Sequence, residues 1–483
     1  MSALSDISPQ PLFHYFEQIC RVPRPSKKEE KIRQFLIDFA RNNGLMFKTD
    51  EVGNVLISKP ATKGKESAQK VILQTHMDMV CEKNSDKVFD FDNDPIEPLI
   101  SDGWVKANGT TLGADCGIGI AAQLAVLTSN EIKHGPLECL ITVDEETGLT
   151  GAFALKPGFM NGSVLLNLDS EDEGEIFIGC AGGVDTLATF SYSKEMIREK
   201  SVAVKISVSG LQGGHSGDDI EKNRGNANKI LNRFLWKANK DFEIQLIDFN
   251  GGNLRNAIAR EASAGITFPV SDKKILEETY HKFADLVKFE FEHSEPNLKL
   301  KWMEIELPKF AIDNSTQNQL INALSACPHS VLEMSTRMKG MVETSTNLAS
   351  VKFIDGEKIV VTTSQRSELE SRKWMAAEMV ESVFKLASAE VVHSDGYPGW
   401  TPNPDSELLK ITVDSYKRLF GVEPVVRSIH AGLECGLFLE KYPHLDMVSF
   451  GPTIKGAHSP DERLDINSTE KFWKHLVDVL ERI

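Results

Sequence analysis

Paired cysteines are missing from this sequence. Its seven Cys residues (Cys20, Cys81, Cys116, Cys139, Cys180, Cys327 and Cys435) are odd in number and scattered, with no Cys-x-x-Cys among them. That excludes a disulfide framework, a thiolate zinc knuckle and a dithiol redox motif, and leaves reduced, mostly buried thiols. No apolar run approaches the ~18 residues of a membrane span. Met1 to Gln10 carries neither the basic nor the apolar stretch of a secretion signal, so a cytoplasmic protein with no membrane partner is expected. Positive charge is also in short supply. With 54 Lys and Arg against 70 Asp and Glu, the net charge is −16, which argues against a nucleic-acid partner or an anionic membrane surface and suits a protein that holds cations. Low-complexity tracts, heptads and internal repeats are absent from the sequence.

What is present is a globular chain of 483 residues, 41% hydrophobic, long enough for about three domains as a soft prior. Ser26-Lys27-Lys28-Glu29 reads as a capping box, and Ile32, Phe35, Leu36 and Phe39 follow at helical spacing up to Asn42-Asn43-Gly44. Up to about residue 180, apolar runs alternate with loops and helical segments, the pattern of a sheet flanked by helices. After Gly179-Cys180-Ala181-Gly182-Gly183 the chain becomes more polar, with alternating strands such as 202–208. A breaker-rich junction at 394–404 precedes a return to apolar runs alternating with helical segments. The expected organisation is therefore α/β: a discontinuous domain of residues 1–183 and 395–483, built on a mixed, mostly parallel sheet, with an inserted α+β domain at 184–394.

Strand ends in the first region repeatedly deliver the same chemistry. Val71-Ile72-Leu73 suits a strand buried on both faces, and His76 and Asp78 follow where it gives out. Alternate residues of an extended chain share a face at a spacing of roughly 6.7 Å, so the Asp78 carboxylate can hold one ring nitrogen of His76 while the other points elsewhere. Leu137–Val143 runs into Asp144-Glu145-Glu146, and Val164–Leu168 into Asp169. Asp115 sits in a tight loop before the helix former Ala121–Leu127, and His458 lies in the polar loop that follows Met447–Phe450. Ligands of open α/β sheets bind outside the carboxyl ends of strands. Two histidines with three or four carboxylates suit a pair of borderline divalent cations, which need a shared carboxylate when ~3.5 to 4 Å apart. Gly117-Ile118-Gly119-Ile120-Ala121-Ala122 formally matches a dinucleotide fingerprint, but it follows a Gly-Thr-Thr-Leu-Gly loop and Asp115 stands close before its first glycine. Glycines that let a helix start pack closely account for it.

Taken in order, His76-x-Asp78, Gly113-Ala114-Asp115-Cys116-Gly117, Asp144-Glu145-Glu146-Thr147-Gly148, Asn167-Leu168-Asp169-Ser170, Gly213-Gly214-His215-Ser216-Gly217 and Ala457-His458-Ser459-Pro460-Asp461-Glu462 resemble the motifs of the M20 family of dinuclear zinc peptidases. The resemblance spans essentially the whole chain and is nearest to the bacterial dipeptidases that accept aminoacyl-histidines. It implies two zinc ions per subunit, replaceable by cobalt or manganese. Asp115 would bridge them, with His76 and Asp169 completing one site and Glu146 and His458 the other. Glu145 would be the general base, Asp78 the carboxylate that orients His76, and the Asp115–Cys116 peptide bond cis. The residues alone leave open which glutamate is ligand and which is base. His215 would donate to the oxyanion from the partner subunit of a homodimer. Asn256 would contact the substrate backbone, and Arg366 its terminal carboxylate. Arg366 follows Thr363-Ser364-Gln365 where the family more often has Asp-x-Arg. Glu434 falls where many relatives have an aspartate, suggesting a substrate amine or a supporting role. The activity implied is hydrolysis of unblocked dipeptides such as β-alanyl-histidine. Within the family the alternatives are a carboxypeptidase or an N-acyl amino acid deacylase, and outside it an inactive metal-bound binding protein.

Overall fold

Val71–His76 is buried along its whole length and lies inside an eight-stranded mixed sheet. The strand order is Met46–Thr49, Val55–Lys59, Leu137–Thr142, Val71–His76, Val164–Asn167, Asp446–Ser449, Glu175–Cys180, Val425–Ile429. Val71–His76 runs parallel to both its neighbours, and Val164–Asn167 parallel to Asp446–Ser449. Antiparallel pairing appears outside this centre. The parallel strands carry Val, Ile and Leu runs because helices cover both faces of such a sheet. The computed structural model describes residues 4–483. They form two compact units: one runs to Gly179 and adds Pro402–Ser428 and Leu433–Ile483, and the other comprises Cys180–Thr401 and Ile429–Gly432.

In the first unit, helix Gln10–Cys20 packs on helix Ala114–Thr128. Helix Glu407–Phe420, capped by Ser406 Oγ, packs on the closing helix Ile466–Arg482, which is capped by Asp465. The closing helix buries Phe472, Leu476, Val479 and Leu480, which recur at helical spacing along one face. A four-stranded sheet orders Ile454–Lys455, Arg463–Asp465, Trp104–Ala107 and Pro98–Ser101, and so fixes both ends of the loop that carries His458.

The predicted capping box does not form. Helix Glu30–Asn42 starts after Glu29 without a side-chain cap. Ser26 Oγ instead donates to Asp78 Oδ2 at 2.8 Å, and Glu29 Oε1 accepts the backbone N–H of Asp144 at 3.1 Å. Both side chains serve the strand ends, a demand invisible to local helix chemistry. No helix is long and apolar enough to cross a membrane among the described residues, and the cysteines are free thiols.

The second unit contains a duplication that the sequence does not display. Strand Ser201–Ser209, helix Ala227–Asp241, strands Gln245–Gly251 and Ala262–Pro269, helix Lys273–Glu290 and strand Lys299–Ile305 make one strand-helix-strand-strand-helix-strand module. Gly182–Ser191, Asn314–Ala326, Val342–Ile354, Lys358–Ser367, Glu370–Leu386 and Glu390–His393 repeat the order, with the first module nested inside the second. In each module the strands lie side by side in the order fourth, first, third, second. The modules join where their second strands pair, Asn250 with Lys352 and Gly251 with Val351. One core takes Leu231, Phe234, Tyr280, Leu320, Leu324, Val380 and Phe384 from the helices of both. Residues 180–183 and 395–401 go with this unit, since Gly183 and Tyr397 exchange backbone hydrogen bonds at 3.0 and 2.8 Å and Cys180 and Trp400 do so at 3.0 and 2.9 Å.

Candidate metal centre

His76 ends its strand with both ring nitrogens facing acids. Nδ1 lies 3.2 Å from Asp78 Oδ1, and Nε2 lies 3.2 Å from both Asp115 Oδ1 and Asp169 Oδ1. The other oxygen of Asp115 meets the second histidine: His458 Nε2 is 3.2 Å from Asp115 Oδ2 and 3.0 Å from Glu146 Oε2. Two clusters, His76 with Asp169 and His458 with Glu146, thus share one carboxylate.

Nitrogen and oxygen ligands about 2.1 Å from a tetrahedral cation stand about 3.4 Å from one another, close to these spacings. One nitrogen proton cannot serve two carboxylates well, and the buried Glu146 Oε1 has no hydrogen-bond partner among the described residues. Buried acids that outnumber the bases among them call for cations. The donor set, imidazole and carboxylate, fits borderline divalent metals.

The protonation pattern agrees. Burial pushes Asp169 up to about 6. It also drives Glu145 well above the carboxylate range, with Asp169, Glu434 and Glu146 adding to the effect. For His458, the bonds to Asp115 and Glu146 raise it to about 11. Burial acts to lower His76, but Asp169, Asp115 and Asp78 outweigh it and hold that ring well above its usual value. Burial likewise opposes ionisation of Asp115, yet His458 and His76 keep it below the usual range. Protons stand here where cations would displace them.

A shell of buried groups fixes these side chains. Asp78 accepts the backbone N–H of Glu145 on Oδ1 (3.0 Å) and that of Glu146 on Oδ2 (3.2 Å), so it holds both the ring of His76 and the turn after Leu137–Thr142. Arg24, 1% exposed, donates to the carbonyls of Asp78 (2.7 Å), Met77 (3.3 Å) and Gly113. A Cβ at Gly113 or Gly117 would lie 2.5 or 2.6 Å from its guanidinium, which explains those glycines without a nucleotide. Glu462 accepts the N–H groups of Leu112, Gly113 and Ala114 at 2.7, 2.9 and 2.7 Å, shaping the Asp115 loop. The Asp115–Cys116 peptide bond is cis.

All seven of His76, Asp78, Asp115, Glu145, Glu146, Asp169 and His458, singled out from sequence, come together in the first unit. Glu434 lies buried beside them, its Oε2 accepting from Gln74 Nε2 (2.6 Å) and Thr142 Oγ1 (2.7 Å). The sequence reading missed the supporting roles of Arg24 and Glu462. It also missed Glu171, which burial and the nearby Asp115 push up to about 8. Only Glu462 carried a signal, being inside the His458 motif.

His215, Asn256 and Arg366 belong to the second unit. Ser216 N–H donates to Asn256 O at 2.8 Å, and the loops pair at His215 and Ala257. His215 Nδ1 lies 3.3 Å from the backbone nitrogens of Gly217 and Asp218 and 3.5 Å from Asp218 Oδ2. Arg366 is buried, donates to Tyr397 Oη at 2.9 Å, and has no partner for Nε among the described residues.

Residues 72–482 match the peptidase family M20/M25/M40. The chain belongs to this family. M20 peptidases are metal-dependent peptide-bond hydrolases, in keeping with the shared carboxylate. The chain is 44% identical to the cytosol non-specific dipeptidase of Escherichia coli K12 over 483 residues, covering 100% of this chain and 99% of that one. The crystal structure of the aminoacylhistidine dipeptidase from Vibrio alginolyticus superposes with a TM-score of 0.93 at 45% identity, covering 99% of this chain and 98% of that one. A tripeptidase from Staphylococcus aureus, 17% identical with a TM-score of 0.57 over 99% and 98% of the two chains, shares the fold.

Proposed function

We propose that this M20 protein is a dipeptidase that cleaves unblocked dipeptides, aminoacyl-histidines such as β-alanyl-histidine among them, with two zinc ions per subunit, for which cobalt or manganese can substitute. The observation that carries the proposal is Asp115, whose two oxygens divide between His76 and His458 in a chain 44% identical over its full length to a dipeptidase. His76 and Asp169 would hold one cation, Glu146 and His458 the other, and Asp115 both. When bound, such a pair lowers the pKa of a shared water and polarises the scissile carbonyl.

Glu145 is the general base, taking a proton from water and giving it to the leaving amine. The Nε2–H of His215 donates to the oxyanion, Arg366 receives the terminal carboxylate, and Asn256 holds the substrate backbone. Dipeptides in a cytoplasmic pool are the partners. A carboxypeptidase or N-acyl amino acid deacylase would use the same centre, and a silent metal-binding protein would not need Glu145.

The resemblance implies a homodimer in which His215 serves the partner's centre. Purified protein should hydrolyse β-alanyl-histidine and other free dipeptides, lose that activity to a chelator, and regain it with zinc or cobalt. Cleavage of N-acylated amino acids in preference to free dipeptides would overturn the dipeptidase reading.

A further inference from the structure

Polar side chains cross four adjacent strands of the first unit's sheet just behind the metal-binding residues. Ser449 Oγ donates to Asn167 Oδ1 (2.5 Å), Asn167 Nδ2 to Gln74 Oε1 (2.5 Å), and Gln74 Nε2 to Glu434 Oε2 (2.6 Å), the oxygen that also accepts Thr142 Oγ1 (2.7 Å). All are buried, and Glu434 is 1% exposed. Gln74 is the register partner of Asn167, Asn167 of Ser449, and His76 of Thr142. Residues two apart on a strand share a face, so Gln74 stands directly behind His76. Within a few residues of this row the chain reaches Glu145 and Glu146 from Thr142, and Asp169 from Asn167.

The centre of a parallel sheet is normally apolar. An acid and two amides there incur a desolvation cost that Val or Leu would not, and burial pushes Glu434 up to about 8. What the row supplies is direction, because hydrogen bonds fix lateral spacing and rotation where apolar contacts do not. Glu434 is its only member from outside the sheet, the first residue of helix Glu434–Lys441. One of its oxygens gathers donors from two neighbouring strands, while Oε1 has no hydrogen-bond partner among the described residues.

We propose that Glu434 is a positioning residue for the metal centre: by accepting Thr142 and Gln74 on one oxygen, it sets the spacing of the strand ends that carry His76, Glu145, Glu146 and Asp169, and thereby the affinity for cations. This rests on the centre being metal-binding, and is independent of which peptide is cleaved.

Competition between the full-length apoprotein and a chromophoric chelator, for zinc and for cobalt, reads the effect without turnover. In Glu434→Ala, cation affinity falls about tenfold or more and kcat falls with it, while KM changes by less than about twofold. Glu434→Gln, which presents an amide oxygen at the same place, recovers most of the affinity. Wild-type affinity in a folded Glu434→Ala protein overturns the proposal. So does a raised KM at unchanged affinity, the mark of a substrate contact, or a Gln variant as weak as the Ala variant. Should Glu434→Ala fail to fold, Thr142→Val removes one donor at constant shape: weakened cation binding supports the proposal, and unchanged binding overturns it. If the dipeptidase reading itself were wrong, wild-type protein would bind cations and leave dipeptides intact.

Discussion

Asp78 Oδ1 lies 3.2 Å from His76 Nδ1 and, on the same oxygen, accepts the backbone N–H of Glu145 at 3.0 Å. One buried carboxylate therefore orients the ring of a proposed metal ligand and anchors the turn that presents the proposed base. In Asp78→Asn, an amide –NH2 must face the N–H of Glu146, the hydroxyl of Ser26 or the ring itself. Cation affinity and kcat should each fall about 10- to 100-fold with the fold retained, as chelator competition and circular dichroism would show. Wild-type affinity would deny Asp78 its orienting role.

Glu145 and Glu146 are adjacent, yet only Glu146 contacts His458, at 3.0 Å. Glu145→Ala should retain its cations through gel filtration while kcat drops by about 10²- to 10⁴-fold. Glu146→Ala should emerge with reduced metal content by elemental analysis. The reverse pattern would exchange the two roles.

His475 offers a pH test away from the metal. Burial lowers its pKa from 6.5 to about 4, and its Nε2–H donates to Thr412 O at 2.9 Å beside the rings of Tyr416 and Phe450. In the unfolded chain this histidine takes a proton near its ordinary value. Its contribution is therefore present above that value and is lost as pH falls through the window down to about 4. In His475→Gln, the slope of unfolding free energy against pH should be flatter across that window by up to about 1.4 kcal/mol per pH unit, measured by denaturant titration. An unchanged slope would mean that the folded ring is protonated.

Mixing tests whether His215 acts across subunits. If it acts across subunits, inactive His215→Ala and Glu145→Ala chains, unfolded and refolded together, recover up to about a quarter of wild-type activity, since a twofold dimer of mixed chains holds one intact site. If it serves its own chain, the mixture stays inactive. Sedimentation of each variant reports the assembly alongside.

The acids and histidines of the candidate centre were legible as a group because His76 and Asp169 stand where apolar runs stop, and a strand end marks position in sequence as well as in space. Asp115, at a helix start, and His458, in a polar loop, were picked out by their chemistry. The division of labour between Glu145 and Glu146 could not be read in this way, since it depends on which side chain turns toward a histidine far along the chain. Ser26 and Glu29 misled for a related reason: they have the composition of a helix cap, but Asp78 and the N–H of Asp144 recruit them. Arg24 looks like any surface arginine until the carbonyls of Met77, Asp78 and Gly113 close around it. The nested modules of the second unit leave no repeat in the letters because topology survives on hydrophobic alternation alone, which many residues satisfy.

Glu462 shapes the loop of Asp115 from 347 residues further along the chain, and His458 reaches the same aspartate across 343. A ribosome, working from the amino end, delivers His76, Asp115 and Asp169 long before either partner. The growing chain thus carries an unfinished cup, with one histidine and an unsupported loop, until its last segment emerges. On the proposed ligand set, the shared carboxylate gains its second histidine only at the end of synthesis.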